Sequence, residues 1–244
     1  MLVVGIDFET TFTDPVDPTK CRIIEAGCVL WDTERKLPLQ MLNQVCWQDD
    51  YGPFDPRITE LTGLTHDDLV QYGRPVKTIL GNVQAFMSQG KSIVAHNGTL
   101  FDRPVLEAEL ARHGCDPMPS VPWIDTTCDV PYPPKIETRK LDFLCPAHGF
   151  LNPFAHRAVF DVLCMLRVLS HYNVEEVMRR STAPKVKLRA FTEKPWTDGG
   201  VSNTKAKEFG FRFDGALKVW TRIILEEELA ELKAKCPLKV EVIQ

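Results

Sequence analysis

The chain has 244 residues, 44% hydrophobic and 25% charged, the composition of an ordinary globular protein with one good-sized core and a small appendage. No stretch reaches the apolar length that a membrane-spanning helix needs, and the opening MLVVGIDFET puts an acid where a signal peptide requires an apolar run. The formal net charge of −4 argues against a protein that wraps long duplex nucleic acid, because such binding needs many phosphate contacts.

The charge is unevenly spread. Residues 185–244 hold 12 Lys and Arg against 9 Asp and Glu, which leaves 17 basic and 24 acidic residues in 1–184. An acidic body is compatible with gripping one strand end through metal ions, since the ions reverse the local charge. The cysteines, Cys21, Cys28, Cys46, Cys115, Cys128, Cys145, Cys164 and Cys236, contain no C-x-x-C pair, so the spacing of a structural zinc site is missing. They read as small buried apolar groups in a reducing, cytoplasmic compartment.

In chain order, residues 2–8 are an apolar run that ends in an acid, the pattern of a buried strand with a functional residue at its C-terminal end. Residues 22–31 and 39–47 are further strands, rich in β-branched and aromatic side chains. Residues 75–88 have apolar positions at helical spacing behind Pro75. A short strand at 92–95 precedes a helix at 99–113 that stops at Gly114. The proline-rich stretch 117–138 is loop, interrupted by a strand at 123–125, and helices follow at 139–148 and 155–172. Ser181–Pro184 reads as a linker between a domain at 1–180 and a small α+β domain at 185–244. The second domain has a strand at 186–192, a short helix at 203–209, a hairpin around Asp214-Gly215, a helix at 225–235 and a last strand.

Three elements carry chemistry. Asp7 and Glu9 are two apart on a strand, so both carboxylates face one way and suit hard divalent cations. In AHNGTLFD, a strand ends at Asn97 and Gly98, and Asp102 falls in the first turn of the next helix. His156 and Asp161, read as residues of one helix, lie about 140° apart around its axis and flank a cleft. Each element alone has a plain structural explanation; their order along the chain does not.

The ordered set DFETT at 7–11, RIIEAGCV at 22–29, LTGLTHDDL at 61–69, VAHNGTLFD at 94–102, WIDT at 123–126 and LDFLCPAHGF…HRAVFD at 141–161 resembles the DnaQ-like 3′→5′ exonucleases of the RNase H-like superfamily. His156, five residues before the last acid, matches the DEDDh subgroup; the tyrosine position of the sister subgroup holds Arg157. One departure is Phe12 after Thr10-Thr11, where the family often has glycine, followed by an insertion-like loop.

The resemblance implies an α/β fold with a mixed five-stranded sheet flanked by helices. It implies two Mg2+ or Mn2+ ions held by Asp7, Glu9, Asp102 and Asp161, with His156 as general base and nucleoside 5′-monophosphates as product. Activity then rises with pH as the imidazole loses its proton. The strand end docks beside Phe8, Thr10, Thr11 and Phe12, with Leu64, Asn97 and Phe101 as further substrate-binding candidates. The expected partner is a nucleic acid 3′ end, DNA favoured over RNA and single strands over duplex. An exoribonuclease, a polymerase-associated proofreading subunit and an inactive end-binding module are the alternatives. In the tail, Lys205, Lys207, Arg212, Lys218, Trp220 and Arg222 form a basic, aromatic stretch that either guides a strand or builds a mini-domain core.

Overall fold

The computed structural model describes residues 1–12, 17–52, 55–133, 136, 138–192, 201–214 and 218–243. Residues 13–16 of the insertion-like loop, the 193–200 segment with Trp196, and the hairpin tip with Gly215 lie outside the described residues. The chain forms two compact units, Met1–Val130 with Lys140–Ser181, and Pro131–Arg139 with Thr182–Gln244. Among the described residues, no helix is long and apolar enough to cross a membrane.

The first unit is built on a sheet. Its strands are β1 (Leu2–Thr10), β2 (Ile23–Asp32), β3 (Leu37–Trp47), β4 (Arg74–Pro75), β5 (Ile93–Ala95) and β6 (Trp123–Asp125). Their order is β4-β3-β2-β1-β5-β6, antiparallel through β3, β2 and β1 and parallel from β1 to β5 to β6. The five strands expected from sequence are all present, and Arg74–Pro75 adds a two-residue sixth at the edge beside β3.

The helices are α1 (Pro56–Thr62), α2 (His66–Tyr72), α3 (Val76–Met87), α4 (Asp102–Arg112), α5 (Leu141–Ala147), α6 (Ala158–Leu169) and α7 (Val174–Thr182). Of these, α1, α2 and α7 had no counterpart in the elements read from sequence. The first two are one to two turns long and are stopped and started by caps: Asp55 accepts from the Arg57 N–H, and Thr65 and Asp68 form a capping box.

Both α3 and α6 pack against β2, and all but the last residue of β2 is buried. This explains why β2 reads as an apolar run and not as an alternating one. Helix α6 approaches very closely. A Cβ on Gly27 would lie 2.5 Å from the backbone of Ala158 and Val159, and one on Gly5 would lie 2.6 Å from Val162. Gly27 is the cross-strand partner of Asp7. The helix therefore starts directly over the rung that carries the first acid.

The second unit contains β7 (Lys185–Ala190), α8 (Val201–Glu208), β8 (Arg212–Asp214), β9 (Val219–Leu225), α9 (Leu229–Lys235) and β10 (Val240–Val242), with an antiparallel sheet ordered β10-β7-β9-β8. Its core gathers Leu188, Ala190, Ala206, Phe211, Trp220, Ile224 and Cys236. Trp220 is 5% exposed, and its indole N–H donates to Asn203 Oδ1 at 3.1 Å.

Gly27→Ala forces α6 off the sheet. It should destabilise the protein by about 1–3 kcal/mol, read as a lower urea midpoint at unchanged slope. An unchanged midpoint would mean that the helix has room to spare.

Candidate active site

Strand β1 has a different neighbour on each side. It pairs with β2 along its length, but with β5 only at Val4 and Gly5. Beyond Gly5 the free edge is taken by a side chain: the Phe8 N–H donates to Asp102 Oδ1 at 3.1 Å. Asp102 reaches this place because β5 ends in a tight turn. Asn97 has φ +66°, and a Cβ on Gly98 would meet the Cβ of Ala95 at 2.2 Å. The turn is held by Asp125 at the end of β6, which accepts the N–H groups of Asn97 at 3.0 Å and Thr99 at 3.2 Å. The site thus lies at the carboxyl ends of parallel strands, the usual binding edge of an open α/β sheet.

The third component differs from its sequence expectation. His156 is not on a helix with Asp161. It precedes α6, with φ +61° in the left-handed region, and Arg157 is the extended N-cap residue. The reversal lets the His156 N–H turn back onto Asp161 Oδ2 at 2.9 Å, just ahead of the N-cap. The other oxygen, Oδ1, accepts from Asn152 Nδ2 at 2.5 Å. Potential ligand atoms of Glu9, His156 and Asp161 all lie within 4.8 Å of one another.

The electrostatics show how crowded this place is. Asp7 is pushed well above the usual carboxylate range by burial, then by repulsion from Asp102, Glu9, Asp161 and Glu25. Burial, followed by Asp161, Glu25 and Asp102, raises Glu9 to about 8, with Arg157 opposing. Asp102 rises to about 7 through burial, against the pull of the Phe8 N–H. Asp161 rises to about 6 through burial, opposed by His156 and Asn152. Oxygen-rich, mutually repelling carboxylates of this kind are the donor set of hard divalent cations, which supply the compensating charge. The residues fit such a group.

The remaining candidates are placed as follows. Phe8, Thr10, Thr11 and Leu64 are buried, so none of the four presents its side chain at the surface; Thr10 Oγ1 donates to the Phe12 carbonyl. Phe101 packs against the core and Asn97 is exposed. Phe12 is 49% exposed. In the second unit, Lys205, Lys207, Arg212 and Lys218 are exposed. Trp220 is core, and Arg222 Nη1 donates to the Phe209 carbonyl at 2.6 Å. Asp125, Asn152 and Glu25 support the site and had no assigned role in the sequence reading. Asp125 and Glu25 stood in visible motifs, but the backbone donors they serve were not visible; Asn152 lies in the gap between LDFLCPAHGF and HRAVFD.

The family model described as Exonuclease, RNase_T, matches residues 4–169. No curated protein matches the chain in sequence. Among solved structures, the chain is similar to E. coli exonuclease I in complex with a dA16 oligonucleotide, at 17% identity and a TM-score of 0.60, covering 79% of this chain and 48% of that one. A structure of exonuclease I described in terms of how processivity is achieved aligns at 15% identity and a TM-score of 0.64, over 95% of this chain and 67% of that one. The nuclease domain of 3′hExo, a DEDDh family member bound to rAMP, aligns at 18% identity and a TM-score of 0.56, over 70% of this chain and 90% of that one. At such identities the likeness is one of fold. The chain spans about half the length of the E. coli exonuclease I bound to dA16.

The raised carboxylates set a pH dependence. An unfolded chain releases these protons near the ordinary values of 3.8 and 4.5, whereas the folded site holds them up to about 8. Between those limits the folded state binds more protons, so stability falls as pH rises. In EDTA, the urea midpoint should therefore drop from about pH 5 to about pH 8, and Mg2+ should restore more of it at the higher pH. A midpoint that is flat in EDTA and indifferent to Mg2+ would show that the acids do not converge.

Proposed function

Because this chain belongs to the exonuclease family, we propose that it hydrolyses the terminal phosphodiester at nucleic acid 3′ ends and releases nucleoside 5′-monophosphates. The observation that carries this reading is the convergence of Glu9, His156 and Asp161 within 4.8 Å, with the half-buried Asp7 and the buried Asp102 in the same electrostatic cluster.

In this reading Asp7, Glu9, Asp102 and Asp161 hold two Mg2+ or Mn2+ ions. When bound, such a pair supplies an activated water and offsets charge on the departing 3′-oxygen. The protein's own groups do the rest. The Phe8 N–H keeps Asp102 turned toward β1. Asn152 and the His156 N–H fix the plane of the Asp161 carboxylate. His156, tied to that carboxylate by its backbone and with a ring nitrogen within 4.8 Å of the Glu9 and Asp161 oxygens, is the candidate to take the proton of the attacking water. Phe12, the exposed aromatic after DFETT, is the candidate to stack on the terminal base.

Single-stranded DNA is the favoured substrate, in keeping with the likeness to an exonuclease I held on a DNA oligonucleotide. The accessory unit contributes phosphate contacts through the exposed lysines of α8 and not through Trp220, whose ring is committed to its core.

With 3′- and 5′-labelled strands of DNA and RNA, wild type should release mononucleotides from the 3′ end in Mg2+ and none in EDTA. Asp7→Ala and Asp161→Ala should abolish release. His156→Ala should lower turnover by about a hundredfold to ten-thousandfold with metal binding kept. Release from the 5′ end, or a folded and active Asp7→Ala protein, would end this reading.

The accessory unit has a separate test. Lys205→Glu with Lys207→Glu should flatten the slope of log affinity against log salt by about one for each lost phosphate contact. An unchanged slope would remove α8 from the interface.

A further inference from the structure

Arg157 follows His156 in the chain and is held by a buried acid. Its Nε donates to both oxygens of Glu25, at 3.1 and 3.2 Å, and its Nη2 donates to Oε1 at 2.7 Å. Glu25 Oε2 also accepts the N–H of Ala158, the first residue of α6, at 3.0 Å. The Glu25 side chain is fully buried and the Arg157 side chain is 33% exposed. A carboxylate this deep needs a full set of donors, and the forked guanidinium with one backbone N–H provides it.

The position of Glu25 gives the pair its meaning. It is the cross-strand partner of Glu9. The strand pair that presents a carboxylate to the site therefore also anchors the segment that presents His156. That segment needs anchoring. The backbone of His156 lies in a region that side chains other than glycine rarely adopt, and such a conformation persists only where the surroundings over-determine it. Two ties do so. One is the bond from the His156 N–H to Asp161, and the other is the seat of Arg157 and Ala158 on Glu25.

We propose that Glu25 and Arg157 are positioning residues that set the imidazole of His156 against the carboxylates, without touching substrate. The proposal rests on His156 being the general base. The two-pronged geometry matters as well as the charge: a lysine at 157 reaches Glu25 with one nitrogen and leaves the chain free to swivel about it.

The test is a double-mutant cycle on a 3′-labelled single strand in Mg2+, with wild type, Arg157→Ala, His156→Ala and the double variant. Arg157→Ala should lower kcat by about tenfold to a hundredfold with KM within about twofold, the cost of a misplaced catalytic group. Added to His156→Ala, it should cost no more than about twofold, because the group it positions is already gone. Arg157→Lys should recover part of the loss. A wild-type kcat in Arg157→Ala, or penalties that multiply in the double variant, would overturn the assignment. If Arg157→Ala fails to fold, the same cycle with Arg157→Lys is read in the same way. An active wild type with multiplying penalties overturns the positioning role alone; a wild type that releases no nucleotide overturns the functional reading and this proposal with it.

Discussion

Four acids crowded into one largely covered corner are the constraint around which this fold is organised. Burial raises the free energy of each charged carboxylate, and every neighbour raises it further. Left to itself such a cluster would spread into solvent. It is held by elements that cannot move apart without exposing the core: β1 in the middle of its sheet, α4 at the end of β5, and α6 pressed against Gly5 and Gly27. The cost of the site is thus offset by packing elsewhere, the usual way in which a strained functional centre persists.

The acids divide into two kinds by what surrounds them. Glu25 and Asp125 are buried but furnished with donors: a guanidinium and a backbone N–H for one, two turn N–H groups and the Thr127 hydroxyl for the other. They act as fasteners. Asp7 and Glu9 are hemmed in by like charge, with Arg157 the cation that opposes the rise at Glu9. Asp102 and Asp161 stand between the two kinds, each steadied by N–H donors yet still raised. The contrast separates scaffold from chemistry more sharply than burial alone.

Much of this was legible in the amino-acid order. The run before Asp7 announced a covered strand, the spacing of Asp7 and Glu9 put both on one face, and Gly98 marked the turn ahead of Asp102. What could not be read was direction over short distances. Nothing in HRAVFD reveals that the chain reverses at His156 before the helix starts, because the reversal depends on a hydrogen bond to Asp161 and a seat on Glu25, residues 5 and 132 positions away from the groups that bond them. The short helices α1 and α2 escaped for a different reason: with 7 residues each they offer too few turns for periodicity, and their caps were the signal to follow. In the tail, the aromatic content was plain but its use was not, and the burial of Trp220 shows it spent on cohesion.

The unequal neighbours of β1 make one acid part of the sheet. On one side the ladder to β2 runs without a break from Leu2 to Glu9; on the other, two residues face β5. Where β5 stops, the Phe8 N–H has the Asp102 carboxylate in place of a strand carbonyl. A neutral side chain without an acceptor at 102 therefore orphans a buried backbone donor as well as removing a charge. Architecture and chemistry share that single oxygen.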